Sequence, residues 1–359
     1  MVRRKRARPT RYTGSITIED VAALAGVSTA TVSRTLSSPG LVAVDTRERV
    51  LEAVRSSGYI PNVAARSLRA ARSKLVLVVF PTRITAFFSE LLIGIDDALS
   101  AEGYGLIAGS LQARPERETQ LVHLVAAKQV DGVILLNGQM IGSDTLRIDQ
   151  LDVPIVAVGV PGESDIPAVL IGDKEGASAV ARHLLELGHR TFGYVSGPDG
   201  YVDTQRWTGF AMTLAEAGIA SSEISRYPGN FTGPSGVKAG KLFVESGKRP
   251  TAVFAISDMM AIGFMKTLRA AGISVPGDVS IVGFDGIEFT GYCEPELTTV
   301  RQPSEQMGFE AARLLIRLVD RETIPADERR KTLDTEFVIG ASTAPPADLR
   351  QVQSWRGPR

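Results

Sequence analysis

The sequence predicts two unlike parts: a small all-α N-terminal domain of helix-turn-helix type, then two doubly wound α/β lobes built on parallel sheets. Three observations carry this. Helical apolar spacing broken by one tight Gly turn occupies residues 16–60. From Leu75 onward, short continuous apolar runs alternate with amphipathic helices. Charge divides at the same place: residues 1–74 hold 14 Lys+Arg against 5 Asp+Glu, a balance of +9, while the remainder carries −9 within a neutral chain of 359 residues.

The opening "MVRRKRARPTRYTGS" is charged and almost without apolar residues, which predicts a basic disordered arm over 1–15. Ile18, Val21, Ala22 and Ala25 then fall at helical spacing, with Thr17 and Asp20 placed to cap the start. Gly26 breaks this helix and Ser28 caps a second one running to about Leu36. Val50, Leu51 and Val54 mark a third helix over 45–57, ended by Gly58. Pro61 turns Ile60 away from helix, and Asn62 caps a segment over 63–69 that is too short to be helical alone in water. Residues 61–73 therefore read as a linker that folds only against something.

In the larger part, the strand candidates are 75–80, 105–109, 132–136, 154–159, 168–172, 191–197, 252–257 and 279–284. The intervening helices are expected at 87–102, 116–128, 174–187, 206–217, 235–246, 258–271 and 304–319. Apolar runs without polar alternation belong to strands covered on both faces, hence parallel sheets. About 270 residues exceed what one sheet carries, so two lobes with a cleft between them follow. The closing "APPADLRQVQSWRGPR" reads as a disordered tail over 344–359.

Several function classes are excluded at this level. No run of about 18 apolar residues occurs, so no membrane helix is expected. The charged start lacks the apolar stretch of a secretory signal, and Cys293 is the only cysteine, which together fit a reducing cytoplasm. The glycines of "GYGLIAG" lie at or within a strand instead of joining strand to helix, so they lack the dinucleotide fingerprint. There is no P-loop, G-x-S-x-G or H-E-x-x-H, and His123, His183 and His189 are widely spaced. No enzymatic activity, metal or cofactor is expected.

"DVAALAGVSTATVSRTL" carries more hydroxyl side chains than a core-filling helix needs. Two helices joined by a Gly turn place the second in the DNA major groove with its first residues at base edges. Short hydroxyls at a helix start reach phosphate oxygens without blocking close approach, and the helix N-terminus favours that charge. Arg34, one turn later, reaches a guanine or the backbone. The rival reading is a plain three-helix domain with capping Ser and Thr. The adjoining basic arm favours DNA.

"TIEDVAALAGVSTATVSRTL", "TRERVLEAVRSSGYIPNVAARSL", "HLLELGHR", "TAVFAISDMMAIGFMKTLRAAGISVPGDVSIVGFD" and "LTTVRQPSEQMG" occur in this order. With them the chain resembles the LacI/GalR family of transcriptional regulators. The resemblance implies a helix-turn-helix headpiece over 16–60, a hinge helix within 61–73, and a two-lobed core over 74–343 like periplasmic sugar-binding proteins. The N-lobe would comprise about 74–173 and 301–334, the C-lobe about 174–300 and 335–343. It implies a homodimer on a pseudo-palindromic operator, with a small molecule in the cleft that changes operator affinity. Thr29, Ala30 and Arg34 match base-reading positions; Thr17, Ser28, Thr31, Ser33 and Asn62 match backbone contacts; Leu68 matches the hinge leucine that wedges into the minor groove. In the cleft, Phe87, Phe88, Asn137, Arg206, Ser257, Asp258 and Asp285 match effector positions. Core packing is the alternative for Phe87 and Phe88, and helix capping for Asp258. Arg206 is placed at a helix start opposite Asp285, so that its removal is expected to abolish the effector response and spare the fold.

Three positions depart from the family pattern. Ala43 stands where a Ser usually caps the third helix, Gly159 where sugar-binding members often carry Asp, and Gly172-Asp173 where an Asp-Asn pair is usual. Loss of a hydroxyl-accepting carboxylate weighs against a typical hexose. "FFSELLIGI" and "KQVDGVILL" are similar to the cytidine-repressor branch, so the effector is a sugar by default with a nucleoside as the alternative.

Overall fold

The computed structural model describes residues 16–60, 72–81, 86–111, 114–136, 140–143, 146–162, 166–247 and 249–347. Asn62, Leu68 and Asn137 lie outside the described residues, as do the arm over 1–15 and most of the linker. The chain divides into two compact units, Met1–Ser73 and Lys74–Arg359.

The first unit holds three helices, α1 (Ile18–Ala25), α2 (Thr29–Ser37) and α3 (Val44–Ser57). A reciprocal capping box opens α1: Thr17 Oγ1 accepts from the Asp20 N–H at 3.3 Å, and the Asp20 carboxylate accepts from the Thr17 N–H at 2.9 Å. Gly26 and Gly58 close α1 and α3 at φ of 63° and 69°, the left-handed conformation that glycine adopts without Cβ cost. Val21, Val32 and Val50, one from each helix, are fully buried in a common core. Ala43 makes no side-chain cap to α3.

The second unit contains two parallel sheets. One has the order β13-β7-β6-β3-β1-β2, from β1 (Leu75–Phe80), β2 (Gly105–Ser110), β3 (Gly132–Leu135), β6 (Ile155–Val158), β7 (Ala168–Ile171) and β13 (Arg330–Leu333). The other has the order β11-β10-β8-β9, from β8 (Phe192–Val195), β9 (Ser225–Tyr227), β10 (Ala252–Ala255) and β11 (Ser280–Val282). Short strands β4 (Gly142–Ser143) and β5 (Leu146–Arg147) form a hairpin, and β12 (Thr299–Arg301) pairs antiparallel with β14 (Glu336–Val338). Both large sheets reverse their order beside their first strand, so each has a switch point where a crevice opens at the carboxyl ends.

Helices α4 (Ala86–Ala101), α5 (Pro115–Ala126), α6 (Asp173–Glu186), α7 (Tyr201–Glu216), α8 (Gly233–Glu245), α9 (Asp258–Ala270) and α10 (Ser304–Val319) cover these sheets. Three pairs cross with backbones nearly touching. A Cβ on Gly94 of α4 would collide with the Glu305 carbonyl of α10, one on Gly209 of α7 with the Lys174 carbonyl of α6, and one on Gly263 of α9 with the Gly233 carbonyl of α8. Only glycine permits these approaches.

Two boundaries differ from the sequence expectation. The helix expected from 206 begins at Tyr201, because the Asp203 carboxylate in its first turn binds the Gly197 N–H at 2.9 Å and the Tyr194 hydroxyl at 3.1 Å, folding the preceding Gly/Pro loop onto it. Ala344, expected in the disordered tail, is held in the core. Its N–H donates to Ser280 Oγ at 3.0 Å, and its carbonyl lies 3.0 Å from His189 Nε2. His189 is buried among Thr251, Ser280 and Ala344, so it ties the chain end to the second sheet. Strands β9, β12, β13 and β14 lie outside the sequence expectation, as do the two-residue β4 and β5; the four are three or four residues each, with at least one charged side chain, and lack an apolar run. No described helix is long and apolar enough to cross a membrane.

Candidate DNA-reading face and effector cleft

In the first unit the sequence-nominated residues cluster on the start of α2 and the start of α1. Ser28 caps α2, its Oγ accepting from the Thr31 N–H at 3.2 Å and lying 2.9 Å from Thr31 Oγ1. Thr29, Ala30 and Arg34 are exposed, whereas Thr31 and Ser33 are half-buried. The buried residues of α2 are Val32 and Thr35, so the helix packs by that stripe and leaves Thr29, Ala30 and Arg34 to solvent. Thr17, exposed at the start of α1, already satisfies its helix through Asp20. The hydroxyls therefore fix their own helix termini while facing outward, and both properties follow from one position.

In the second unit a cavity of about 110 Å³ lies at the carboxyl ends of the two parallel sheets. Phe87, Arg206 and Asp285, from the nominated set, line it together with Asp173, Gln302 and an apolar wall that includes Val158, Ile171, Phe231, Met259 and Ile287. Phe88, Ser257 and Asp258 do not. Phe88 stacks edge-on against Phe80 at 5.5 Å, within the core. Ser257 caps α9, its Oγ accepting from the Met260 N–H at 3.3 Å. Asp258 is fully buried and accepts from the Gly286 N–H at 2.6 Å, the Ile287 N–H at 3.0 Å and Thr299 Oγ1 at 2.6 Å. It is a strut for the loop after β11, not a lining group, and Ser257 holds the capping position considered for it.

Arg206 sits in the second turn of α7 and is 4% exposed. Its Nε donates to Asp173 Oδ1 at 2.7 Å, its Nη1 donates to the Ile256 carbonyl and lies 3.5 Å from Asp285 Oδ1, and its plane covers the Phe284 ring at 3.6 Å. The Asp285 side chain, 13% exposed, accepts from Gln302 Nε2 at 2.8 Å. Its backbone lies at φ 126°, held by an N–H donated to the Val300 carbonyl at 2.9 Å. Burial pushes the Asp285 carboxyl well above the usual carboxylate range; Arg206 pulls it back only in part and Asp258 pushes it further. Burial raises Asp173 as well, against the pull of Arg206, and raises Asp258 against hydrogen bonds from Thr299, Ile287 and Gly286 and a smaller pull of Arg206. Two carboxyls thus touch one guanidinium, and a third lies behind the wall on the backbone at Gly286 and Ile287.

Asp173, Gln302 and Phe231 were missed from sequence. In the sequence Asp173 stands out only as a departure from the family pattern, 33 positions from its partner. No spacing rule announces such a pair. Gly159 lines the cavity at φ 77°, with nothing within 4 Å of where a Cβ would project.

With this geometry in place, residues 17–62 match the family of bacterial regulatory proteins, lacI family, and residues 181–343 match a periplasmic binding protein-like domain. The HTH-type transcriptional repressor CytR of Escherichia coli (strain K12) is 34% identical over 330 residues, covering 91% of this chain and 96% of that protein. The HTH-type transcriptional repressor PurR of Vibrio atlanticus (strain LGP32) is 34% identical over 310 residues, covering 85% and 93%. Among solved structures, the lac repressor dimer bound to operator and the anti-inducer ONPF aligns at TM-score 0.79 with 27% identity over 92% of this chain and 100% of that one. A transcriptional regulator CelR–cellobiose complex aligns at TM-score 0.68 with 32% identity over 91% and 99%.

Proposed function

Since the chain belongs to the LacI family and is a DNA-binding transcriptional repressor, we propose that a small molecule seated in the cleft of the second unit sets its affinity for a pseudo-palindromic operator, and that it works as a homodimer. The observation that carries this is the composition of the cavity. Phe87 comes from a helix that packs over the first sheet, Arg206 and Asp285 from elements of the second, and Asp173 and Gln302 from the crossings between them. A ligand touching all of these has a different affinity for each lobe arrangement, which is the condition for shifting an equilibrium. In the first unit, Thr29, Ala30 and Arg34 read bases, Thr17, Ser28, Thr31, Ser33 and Asn62 hold phosphates, and Leu68 wedges between base steps at the operator centre.

A nucleoside suits the cavity better than a hexose. Phe87, Leu91, Leu136, Val158, Ile171 and Phe231 offer an apolar wall to a flat ring, while polar partners are gathered at one end around Arg206. A hexose presents hydroxyls on its whole rim and needs partners around it. The cellobiose bound by the CelR relative supports the sugar reading.

The experiment takes operator fragments selected from random DNA by the full-length protein and measures binding across salt concentrations, with and without nucleosides and hexoses. Affinity is expected to fall steeply with salt, with a log-log slope near the number of phosphates contacted, and a ligand that raises the melting temperature should change operator affinity at least about 5-fold. A ligand that stabilises the protein and leaves operator binding unmoved would remove the effector role from the cleft.

A further inference from the structure

The charge inventory of the cleft points beyond its location. Among the described residues that line the cavity, Arg206 is the one basic group, and Asp173 and Asp285 are the acidic ones. Two of the three Arg206 nitrogens are already committed, Nε to Asp173 and Nη1 to the Ile256 carbonyl and beside Asp285, and its face lies against Phe284. Asp258 adds a third carboxylate behind the wall, bonded to the backbone at Gly286 and Ile287.

Helix N-termini are the other means by which a protein seats an anion, through free N–H groups and the helix dipole. Three helices begin at this site, and each carries its own carboxylate in the first turn: Asp173 in α6, Asp203 in α7 and Asp258 in α9. Asp203 is further tied to Tyr194, Gly197 and Arg226. No side chain caps α6 or α7, but each of these carboxylates places negative charge at a helix end that would otherwise draw a ligand phosphate. The rest of the wall is hydrocarbon, and Gln302 spends its amide on Asp285.

We infer that this cleft selects an uncharged ligand and rejects the same ligand once it is phosphorylated: a nucleoside over its nucleotide, a free sugar over its phosphate. A phosphoryl group entering here would lose its hydration, meet among the described lining residues a single guanidinium whose charge Asp173 already offsets, and lie near two acidic side chains. A neutral ligand needs only hydrogen-bond partners, which the Asp285 carboxyl, the Gln302 side-chain oxygen and the Nη2 edge of Arg206 supply. The regulator would then answer to the dephosphorylated form, the species that exists before a kinase or after a phosphatase has acted. This assignment rests on the effector reading of the cleft.

The test uses matched pairs on the full-length protein, by calorimetry and melting temperature at pH 7.5: cytidine and its 5′-phosphate, adenosine and its 5′-phosphate, ribose and its 5-phosphate, glucose and its 6-phosphate. For the pair whose neutral member binds, the phosphate is expected to bind about 100-fold more weakly or worse. An uncharged 5′-O-sulfamoyl nucleoside, similar in size to the nucleotide, should stay within about 10-fold of the parent. At pH 9, where the Asp285 carboxyl is ionised, Asp285→Asn should narrow the gap between neutral and phosphorylated ligand about 10-fold, with its melting curve as the fold control. A phosphate that binds as well as its neutral partner overturns the charge selection and leaves the effector site standing. Rejection of the sulfamoyl compound as strongly as the phosphate also overturns it, in favour of size. Absence of binding by every member at millimolar concentration overturns the effector reading and this assignment together.

Discussion

The start of α2 and the cleft hold functional side chains in opposite ways. At α2, Ser28 and Thr31 bond to each other across three positions, and Arg34 stands free in solvent one turn on. In the cleft, Arg206, Asp173, Asp285 and Gln302 are drawn from 130 positions of sequence, buried, and largely spent on one another. The first site stays hydrated until DNA arrives, so its chemistry need not be balanced within the protein. The second is dry, so every charge must be offset internally before a ligand is considered. A substitution at the first should therefore alter binding with little change in fold. At the second, fold and function are the same measurement.

The largest expected effect breaks that contrast if it is absent. Arg206→Ala leaves Asp173 and Asp285 buried without their counter-charge and the Ile256 carbonyl without its donor. Removing one partner of a buried ion pair costs about 3–5 kcal/mol, which urea denaturation of the second unit would register. The sequence reading, which has this variant lose the effector response and keep its fold, places Arg206 at a helix start with its donors facing the ligand. The residue instead lies in the second turn with 4% exposure. Retention of wild-type stability by Arg206→Ala would mean that water enters freely and that the network is looser than its distances imply.

The pH dependence of stability sharpens the same point. The folded-state pKa of Asp285 is pushed from 3.8 to about 8. Because it exceeds the unfolded value, the folded chain keeps a proton that the unfolded chain releases. The contribution is fully present below about pH 4 and is lost as pH rises through the folded value. Asp173 and Asp258 are shifted the same way by burial and add to the slope. Asp285→Asn removes one titrating group and keeps the acceptor for Gln302. It should flatten the fall in melting temperature between pH 5 and pH 8, a window set by those shifts, and gain about 2 kcal/mol on the wild type at its alkaline end. The 13% exposure of Asp285 holds that figure well below the full shift. Parallel melting curves for the two proteins would place Asp285 in contact with bulk water.

What could be read from the sequence follows the same division. The capping box at Thr17 and Asp20, the Gly26 turn and the Ser28 cap are interactions within four residues, and residue type at that spacing declares them. The eight long apolar strands were legible because burial on both faces writes itself as an unbroken run. Of the edge strands, β2 and β11 carry such a run, whereas β9 and β13 do not, since they admit charged residues where they meet water. Phe87 and Phe88 are adjacent and chemically identical, yet one lines the cavity and the other packs on Phe80. A helix turns 100° per residue, and only tertiary packing says which azimuth faces the cleft. Asp258 and Asp285 look alike at their strand ends, but the loop at Gly286 and Ile287 closes on the first and leaves the second at the wall. The helix-crossing glycines were invisible for the same reason: a carbonyl from a distant helix is what excludes their Cβ.

A smaller effect probes the hydrated site. Ser28→Ala removes the side-chain acceptor for the Thr31 N–H and the partner of Thr31 Oγ1. Loss of an N-cap costs about 1 kcal/mol. Operator affinity should fall by more than that cost explains, because the same hydroxyl is assigned to a phosphate. Both are read from one preparation, the first by thermal melting of the headpiece signal and the second by operator titration. An unchanged affinity once stability is accounted for would make Ser28 a cap alone.

The smallest expected change is a gain. Ala43 precedes α3 with extended backbone, φ −54° and ψ 141°, and offers no side-chain acceptor to the helix. That geometry is the one an N-cap residue adopts, so a serine there can reach the free N–H groups without moving the chain. Ala43 is exposed, and its replacement by a small hydroxyl disturbs no packing. Ala43→Ser should stabilise the first unit by about 0.5–1 kcal/mol, seen as a rise in its denaturation midpoint. Its effect on operator binding separates two roles that coincide at Ser28. If a cap at α3 only orders the helix, affinity rises slightly and uniformly on operator and random DNA. A rise confined to the operator would place the start of α3 against the duplex and extend the reading surface beyond α1 and α2.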